Sequence, residues 1–379
     1  MPKEVFLDYA SCTPVREEIY EAYIKLVKTC FVNSEAVYTK GVEVNTLVEK
    51  SRNQIAKLLG TLPEEILFTS GASEANSFAI KGYALKNQNK GMHIITSAME
   101  HSSVLASIKQ LQEVFRFDVT YLPVYEDGKI SLKDLKDAMR EDTILVSVMS
   151  VNNEIGSIQD IHEIARVVHQ HPKCKLHVDA VQSIGKIDIN IKDVDMMTIT
   201  SHKLYGIKGC GVLVCKKNIF LLPLINGGQQ EQGLRGGTLN APACIVFAKT
   251  LRLALEEKEK HYQEVLSLYT YLKEALSEIE TIHINSPKAG CPYILNFSCM
   301  SMGSEIMMNA LNAKGICVSS QSTCSSRTKA PSHTLAAMNL SDEIKYGAIR
   351  VSLSHLTRKA ELEYFITSLK EIIHEYRTK

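Results

Sequence analysis

Two short stretches decide the fold of this 379-residue chain, Lys175-Leu-His-Val-Asp179 and Asp195-Met-Met-Thr-Ile-Thr200-Ser-His202-Lys203. Each is an apolar, β-rich run that ends in polar residues, which is typical of a buried strand followed by a loop. In open α/β sheets, the residues just past the carboxyl ends of the strands face the ligand crevice. The pattern therefore predicts that Asp179 and Lys203 enter one pocket from neighbouring strands.

An aspartate and a lysine placed in this way suit pyridoxal phosphate. The lysine can form a Schiff base with the aldehyde of the cofactor, and the aspartate can keep the pyridine nitrogen protonated. A structural ion pair between Asp179 and Lys203 is the alternative interpretation of the same spacing. The remaining motifs of the chain favour the cofactor.

The composition is that of an ordinary globular protein, with 45% hydrophobic and 22% charged residues and a net charge of +1. It gives no reason to expect nucleic-acid or membrane binding, and no metal site is expected. No run of about 18 apolar residues and no signal peptide are recognised. The ten cysteines include no Cys-x-x-Cys pair, which favours reduced thiols and a cytoplasmic location.

Strands and helices alternate between Val5 and Cys215. This alternation predicts an α/β fold with a large, doubly wound, mostly parallel sheet. A long helical stretch, Ala241–Ile279, is then predicted to lead to a smaller α+β lobe. The predicted domains are residues 13–254, which bind the cofactor, and residues 1–12 with 255–379, which carry a cysteine loop.

Further polar residues follow predicted strands. His101, Asn153 and Gln182 each come just after an apolar run. A lone histidine is more often structural, but here its ring could stack on a flat cofactor. Asn153 and Gln182 could form hydrogen bonds to the hydroxyl group of the cofactor ring.

Two glycine-containing turns suggest anion binding. Ser70-Gly71-Ala72-Ser73 opens a helix, whose free N–H groups and positive dipole end suit a phosphate. The alternative role of Ser73 is a helix N-cap. The loop 227–238 contains Arg235 and Thr238, which suggest anion contact, although a simple linker is the alternative.

The loop Val318-Ser-Ser-Gln-Ser-Thr-Cys324-Ser-Ser-Arg-Thr-Lys-Ala-Pro331 is polar and rich in small residues. A cysteine in such a loop is not core filler. Arg327 and Lys329 would favour its thiolate form. Most of the other cysteines are interpreted as small core residues.

Over nearly its full length the chain resembles the cysteine desulfurases, pyridoxal-phosphate enzymes of the class V aminotransferase branch with the aspartate aminotransferase-like fold. The resemblance rests on motifs in the expected order: Asp8-Tyr-Ala-Ser-Cys-Thr-Pro, Thr69-Ser-Gly-Ala-Ser-Glu-Ala-Asn, Glu100-His101, Val151-Asn-Asn-Glu-Ile-Gly, His177-Val-Asp-Ala-Val-Gln-Ser, His202-Lys203, Arg235-Gly-Gly-Thr-Leu, Ser319-Ser-Gln-Ser-Thr-Cys324 and Ala348-Ile-Arg350-Val-Ser-Leu.

The resemblance implies a role for each residue of the cofactor ring site. Lys203 would be the Schiff-base lysine and would move protons, and Asp179 would pair with the pyridinium nitrogen. His101 would stack on the ring and act as an acid or base. Asn153 and Gln182 would contact the ring hydroxyl group.

The resemblance also implies a phosphate site and a substrate site. The phosphate would be bound by four residues, of which the last reaches across from the partner subunit of a homodimer: Ser73, Thr200, His202 and Thr238. Arg350, together with Asn153, would hold the carboxylate of L-cysteine. Cys324 would take the sulfur as a persulfide, release alanine and pass the sulfur to an acceptor protein, in iron–sulfur cluster assembly or tRNA thiolation.

The sequence departs from the family pattern at three places. Asn33-Ser-Glu-Ala-Val-Tyr38 lacks the usual proline and histidine, Gln321 replaces a common glycine, and Gly236 replaces a usual serine. Two alternatives remain open: a selenocysteine lyase or other class V enzyme, and a non-catalytic binding or regulatory descendant. Cys324 argues against an aminotransferase, and the joint presence of Asp179, Lys203 and Cys324 argues against a non-catalytic protein.

Overall fold

The structure, a computed structural model, describes residues 4–189, 191–320 and 332–377. Gln321, Cys324, Arg327 and Lys329 lie outside the described residues, so the predictions made for them stay predictions. Within the described part of the chain, no helix is both long enough and apolar enough to cross a membrane.

The strands of the described residues are, in chain order, β1 (Val5–Phe6), β2 (Ile66–Thr69), β3 (His93–Ser97), β4 (Asp118–Leu122), β5 (Thr143–Met149), β6 (Lys175–Asp179), β7 (Met196–Thr200), β8 (Gly211–Cys215), β9 (Ile282–Ile284), β10 (Ile294–Cys299), β11 (Ile316–Cys317) and β12 (Ala348–Ser352).

The α-helices of the same residues are α1 (Glu17–Thr29), α2 (Thr39–Leu59), α3 (Ala72–Ser77), α4 (Tyr83–Asn87), α5 (Ser102–Phe115), α6 (Leu132–Ala138), α7 (Ile161–Val168), α8 (Ala241–Glu256), α9 (Lys258–Ser277), α10 (Ser304–Ala313), α11 (His333–Ala337), α12 (Asp342–Tyr346) and α13 (Lys359–Arg377). Short 3₁₀ turns lie at Pro63–Glu65, Ile191–Asp193, Ser201–Lys203 and Gln230–Gly233, and a π turn at Phe78–Gly82 joins α3 to α4.

Seven of the described strands form the large sheet, in the order β2-β8-β7-β6-β5-β3-β4. β7, β6, β5, β3 and β4 run parallel, whereas β8 is antiparallel to both of its neighbours. The prediction of a mostly parallel α/β sheet is confirmed. β6 and β7 lie side by side, so their carboxyl ends, at Asp179 and Thr200, meet at one edge of the sheet.

The remaining described strands form two small sheets, which bring a segment near the beginning of the chain together with segments from its last third. β10 lies between β9 and β12 in an antiparallel sheet, and β1 pairs in parallel with β11. Asp8 forms a further bridge to Ser352, the last residue of β12. Residues 5–8 are therefore built into the smaller lobe.

The sequence pattern predicts helices that begin at Pro14 and Ile158, and both starts are wrong. α1 begins at Glu17 rather than Pro14, because Arg16 is still extended (φ −64°, ψ 140°). α7 begins at Ile161 rather than Ile158, because the side chain of Asp160 caps it by accepting the N–H of Glu163.

The predicted single helix Ala241–Ile279 is two helices, which separate at Glu257. The carboxylate of Glu257 accepts hydrogen bonds from Arg16, one of them at 2.6 Å. α8 packs into the core of the large sheet, whereas α9 packs into the core of the small sheet. This change of core supports the predicted boundary near residue 254, which stays a prediction.

Candidate active site

A cavity of about 470 Å³ lies at the edge of the large sheet where β6 and β7 end. Its volume is in the usual range for a site that holds a small molecule. Most of the residues predicted from the sequence line it: Ser73, His101, Asn153, Asp179, Gln182, Thr200, His202, Lys203 and Arg350. Thr238 is exposed and does not line this cavity, and Cys324 lies outside the described residues.

Asp179, the last residue of β6, is held by two donors. The side-chain amide of Asn76 donates to its Oδ2 at 2.8 Å, and the backbone N–H of Val181 donates to its Oδ1 at 3.0 Å. The two hydrogen bonds hold the carboxylate of Asp179 in one orientation in the cavity wall. A carboxylate held in this way suits the nitrogen of a pyridine ring.

Lys203 ends the 3₁₀ turn that follows β7. Its ammonium group donates to the carbonyl oxygen of Ala10 at 2.6 Å and to that of Ser11. Burial, with the positive charges of Lys186 and Arg350 adding to it, lowers the pKa of Lys203 to about 7. The amine is thus poised to be neutral or charged near physiological pH, as a nucleophile or proton carrier must be.

Gln182 is engaged on both ends of its amide. Its Nε2 donates to the carbonyl of Ala10 at 2.9 Å, and its Oε1 accepts from the buried Lys186 at 2.8 Å. The second Nε2 hydrogen is left as the group that can donate into the cavity. Its predicted contact with a ring hydroxyl group stays a prediction, as does that of Asn153.

The start of α3 forms the other end of the cavity. Gly71, at φ 153°, precedes Ala72, and a side chain would be strained in this conformation. Ser73 lies in the first turn of α3, and the hydroxyl of Thr200 lies 3.1 Å from Nδ1 of His202 on the facing loop. Burial, with nearby lysines adding to it, lowers the pKa of His202 to about 4, so its ring is neutral.

The anion contacted by Arg235 is a carboxylate of the protein itself. Its guanidinium pairs with Glu74 at 2.9 Å, and Glu74 also accepts from the backbone and the hydroxyl of Ser70. Since Glu74 lines the cavity, this ion pair holds the turn around Gly71 and offsets the negative charge of Glu74. The expectation of an external anion at Arg235 has no support in these contacts.

His101 lies just before α5 and caps it. Its Nδ1 accepts the backbone N–H of Ser103 at 3.2 Å and lies 2.8 Å from the Ser103 hydroxyl. Burial lowers the pKa of His101, against the raising effect of Asp179 and with the help of Lys203. The ring is therefore held neutral beside Asp179.

Arg350 enters the cavity from β12 and is 1% exposed. One Nη donates to the carboxylate of Asp8 at 2.7 Å, and the other donates to the backbone carbonyl of Asn153 at 2.9 Å. Its Nε has no hydrogen-bond partner among the described residues. A buried donor without a partner costs free energy unless a ligand satisfies it, so Arg350 can still bind a carboxylate.

The residues present fit pyridoxal phosphate. Asp179 suits the pyridine nitrogen and Lys203 suits the aldehyde. The opposite end offers the N–H groups of α3 with the polar side chains of Ser73, Thr200 and His202, which suit a phosphate.

Three positioning residues were not identified from the sequence. Asn76, Asp8 and Lys186 hold Asp179, Arg350 and Gln182 in turn. Asn76 and Asp8 stand inside motifs that carry the family resemblance. The four-residue spacing from Gln182 to Lys186 was the available signal for the third.

Comparison with known proteins gives a consistent result. The aminotransferase class-V family matches residues 5–365. The chain is 40% identical to cysteine desulfurase IscS of Dictyoglomus turgidum, covering 100% of this chain and 96% of that protein.

Solved structures with the same fold include a NifS-like protein with a TM-score of 0.92 and 34% identity, covering 98% of this chain and 99% of that one. Another, SspA in complex with cysteine, has a TM-score of 0.81 and 33% identity, covering 92% of this chain and 98% of that one.

Proposed function

The chain belongs to the aminotransferase class-V family, in its cysteine desulfurase branch, and on that premise we propose that it converts L-cysteine to L-alanine and passes the sulfur on through Cys324. The observation that carries the proposal is the meeting of Asp179, Lys203 and Arg350 in one cavity. It combines a fixed anion, a lysine that titrates near neutrality and a buried guanidinium.

Pyridoxal phosphate is the cofactor, and when bound it supplies an electron sink for charge that develops on the substrate. Lys203 would hold it covalently, with Asp179 at the ring nitrogen and His101 against the ring. Its phosphate would lie at the start of α3.

Arg350 would recognise the carboxylate of the substrate. A guanidinium binds a carboxylate through two parallel hydrogen bonds, and Arg350 has donors to spare beyond those given to Asp8 and Asn153. L-Cysteine is the substrate, and a structurally similar protein has been solved with cysteine bound.

Lys203 would carry the proton that the reaction moves. Its pKa of about 7 lets it accept and return a proton at neutral pH with little loss in either direction. The carbonyl groups of Ala10 and Ser11 hold the amine in place while it does so.

Cys324 would act as the sulfur acceptor. Its thiolate attacks the substrate sulfur, the carbon–sulfur bond breaks, and the carbon takes a proton to give alanine. Cysteine plus the enzyme thiol thus gives alanine plus the enzyme persulfide, so no outside oxidant or reductant is needed.

The finer features follow from the same reasoning. Thr238, exposed in a single chain, would complete the phosphate site of the partner subunit in a homodimer. The persulfide would be passed to an acceptor protein for iron–sulfur cluster assembly or tRNA thiolation. The nine cysteines of the described residues are free thiols, which supports a reducing, cytosolic location.

The test is a single turnover with L-cysteine, followed by mass spectrometry of peptides and measurement of alanine. The parent protein should carry one extra sulfur on the Cys324 peptide. Cys324→Ser should keep its cofactor absorbance and lose both the persulfide and alanine release. Cys12→Ser is the matched control, because Cys12 lines the cavity and should be dispensable.

Extra sulfur on Cys12, or normal alanine release by Cys324→Ser, would contradict the proposal. Alanine release from selenocysteine without release from cysteine would identify a selenocysteine lyase.

A further inference from the structure

Four side chains connect the two sides of the cofactor ring site in an unbroken series of hydrogen bonds. Asn76 Nδ2 lies 2.8 Å from Asp179 Oδ2 and 2.9 Å from Ser103 Oγ. Ser103 Oγ lies 2.8 Å from His101 Nδ1. We refer to Asp179, Asn76, Ser103 and His101 as the tautomer chain.

The direction of these hydrogen bonds is determined from the Asp179 end. An ionised carboxylate only accepts, so the side of the Asn76 amide that faces Asp179 must be its NH₂ group. The same NH₂ group also reaches Ser103, and it can only donate there. The hydroxyl oxygen of Ser103 therefore accepts from Asn76.

The donor in the hydrogen bond between Ser103 and His101 can then be identified. A serine hydroxyl has one hydrogen, and among the described residues Nδ1 of His101 is the other partner of Ser103 Oγ. That hydrogen is donated to Nδ1, which also accepts the backbone N–H of Ser103 at 3.2 Å. Nδ1 thus receives two donors and has no room for a proton of its own.

We propose that Ser103, with its hydroxyl oriented by Asn76, is a positioning residue that holds His101 as the neutral tautomer with its proton on Nε2. His101 then presents a hydrogen-bond donor to the cavity, not a lone pair. The inference deepens the proposed function and rests on it for the identity of the cofactor.

Two further observations agree with this assignment. Asn76 is fully buried, so water does not compete for its hydrogen bonds. Burial also lowers the pKa of His101, which keeps the ring from gaining a second proton.

This tautomer gives His101 and Lys203 different roles in the chemistry of the site. A neutral ring with its proton on Nε2 can stack on the cofactor and donate a hydrogen bond. It cannot take a proton through Nε2 without first losing the one already there. Proton acceptance therefore falls to Lys203, and the predicted role of His101 as an acid or base is narrowed to that of a donor.

The experiment is ¹⁵N NMR of the holoenzyme with imidazole-labelled histidine at neutral pH, without cysteine. The protein has 12 histidines, and His101→Gln identifies the His101 signals by their loss. In the parent, Nδ1 should show the shift of an unprotonated nitrogen and Nε2 that of a protonated one. A protonated Nδ1 in the parent would overturn the proposal by itself.

Two substitutions at position 103 make the test specific. Ser103→Thr keeps the hydroxyl and should leave the tautomer unchanged. Ser103→Asp places an acceptor-only group beside Nδ1 and still accepts from Asn76, so Nδ1 should become protonated. An acidic residue in the first turn of α5 is also compatible with the helix dipole.

Retention of an unprotonated Nδ1 in folded Ser103→Asp, or its loss in Ser103→Thr, would contradict the role of Ser103. If Ser103→Asp does not fold, the parent and Ser103→Thr spectra decide. Failure of the proposed function is recognised separately, since a parent with the expected tautomer that releases no alanine would contradict only the desulfurase assignment.

Discussion

The two sides of the cavity treat their cations in opposite ways. On the sheet side, Lys203 donates to backbone carbonyls, and among the described residues no carboxylate forms an ion pair with it. On the side built from β12 and the start of the chain, Arg350 is paired with Asp8 at 2.7 Å.

The difference matches two kinds of work. Burial, with the positive charges of Lys186 and Arg350 adding to it, lowers the pKa of Lys203 to about 7, and among the described residues no carboxylate offsets this effect through an ion pair. An arginine keeps its charge at any physiological pH, and its partner holds it in one orientation. Lys203, on the sheet side, can therefore gain or lose its proton near neutral pH, whereas Arg350, on the other side, stays charged.

Removing the titratable lysine, Lys203, should have the largest effect. Lys203→Ala should lose the cofactor that borohydride reduction fixes to the protein, because the variant has no amine at the end of the turn that follows β7. Alanine formation should fall by at least about 10²- to 10⁴-fold, the usual effect of losing a positioned acid or base. Mass spectrometry after reduction and a turnover assay measure the two effects.

The matched control is Lys208→Ala, since Lys208 is an exposed lysine that also lines the cavity. It should trap the cofactor as the parent does. Equal trapping in Lys203→Ala would show that Lys203 is not the cofactor lysine.

Replacing Arg350, whose charge is permanent, should have a smaller effect, and the effect should be on substrate binding. Arg350→Lys keeps the charge but loses the paired geometry, so KM for cysteine should rise by about 10- to 100-fold, the equivalent of about 1.5–3 kcal/mol for a charged hydrogen bond. Steady-state kinetics measure this, with Arg252→Lys as the control, since Arg252 is a half-buried arginine of α8 that pairs with Glu256 and does not line the cavity. An unchanged KM with an unchanged cofactor spectrum would make Arg350 structural.

The smallest expected effect tests why Lys203 titrates near neutrality. Lys186 lowers the pKa of Lys203 through its positive charge, second to burial. Lys186→Met should therefore raise that pKa and reduce the neutral, reactive amine at pH 7, by less than about tenfold. The rate of pyridoxal phosphate incorporation into apoprotein, measured against pH, should move its midpoint to higher pH.

Lys57→Met, on the exposed face of α2, should leave this midpoint unchanged. A midpoint that moves to lower pH in Lys186→Met would contradict the statement that the charge of Lys186 lowers the pKa of Lys203.

The parts of the site that local pattern can specify were predicted from the sequence. Asp179 and Lys203 each end a short apolar run, and the pairing of β6 with β7 brings those ends together as expected. The mostly parallel sheet follows from the same alternation of strands and helices.

The contacts that orient these groups join residues far apart in the chain. Asn76 and Asp179 are 103 residues apart, and Asp8 and Arg350 are 342 apart. Glu257, which separates α8 from α9, likewise accepts a hydrogen bond from Arg16, 241 residues away in the chain. No short-range periodicity carries this information, because it arises only when segments far apart in the sequence have packed together.

The opening segment of the chain has a consequence for how the protein is handled. Residues 5–11 pair with β11, bridge to β12, orient Arg350 and hold the amine of Lys203. Trimming them, or fusing a bulky affinity tag directly to Val5, would remove the contacts that hold Lys203 and Arg350 in the cavity. It would also open the core of the small sheet, where Val5 and Leu7 are fully buried, so an affinity tag is better placed at the other terminus.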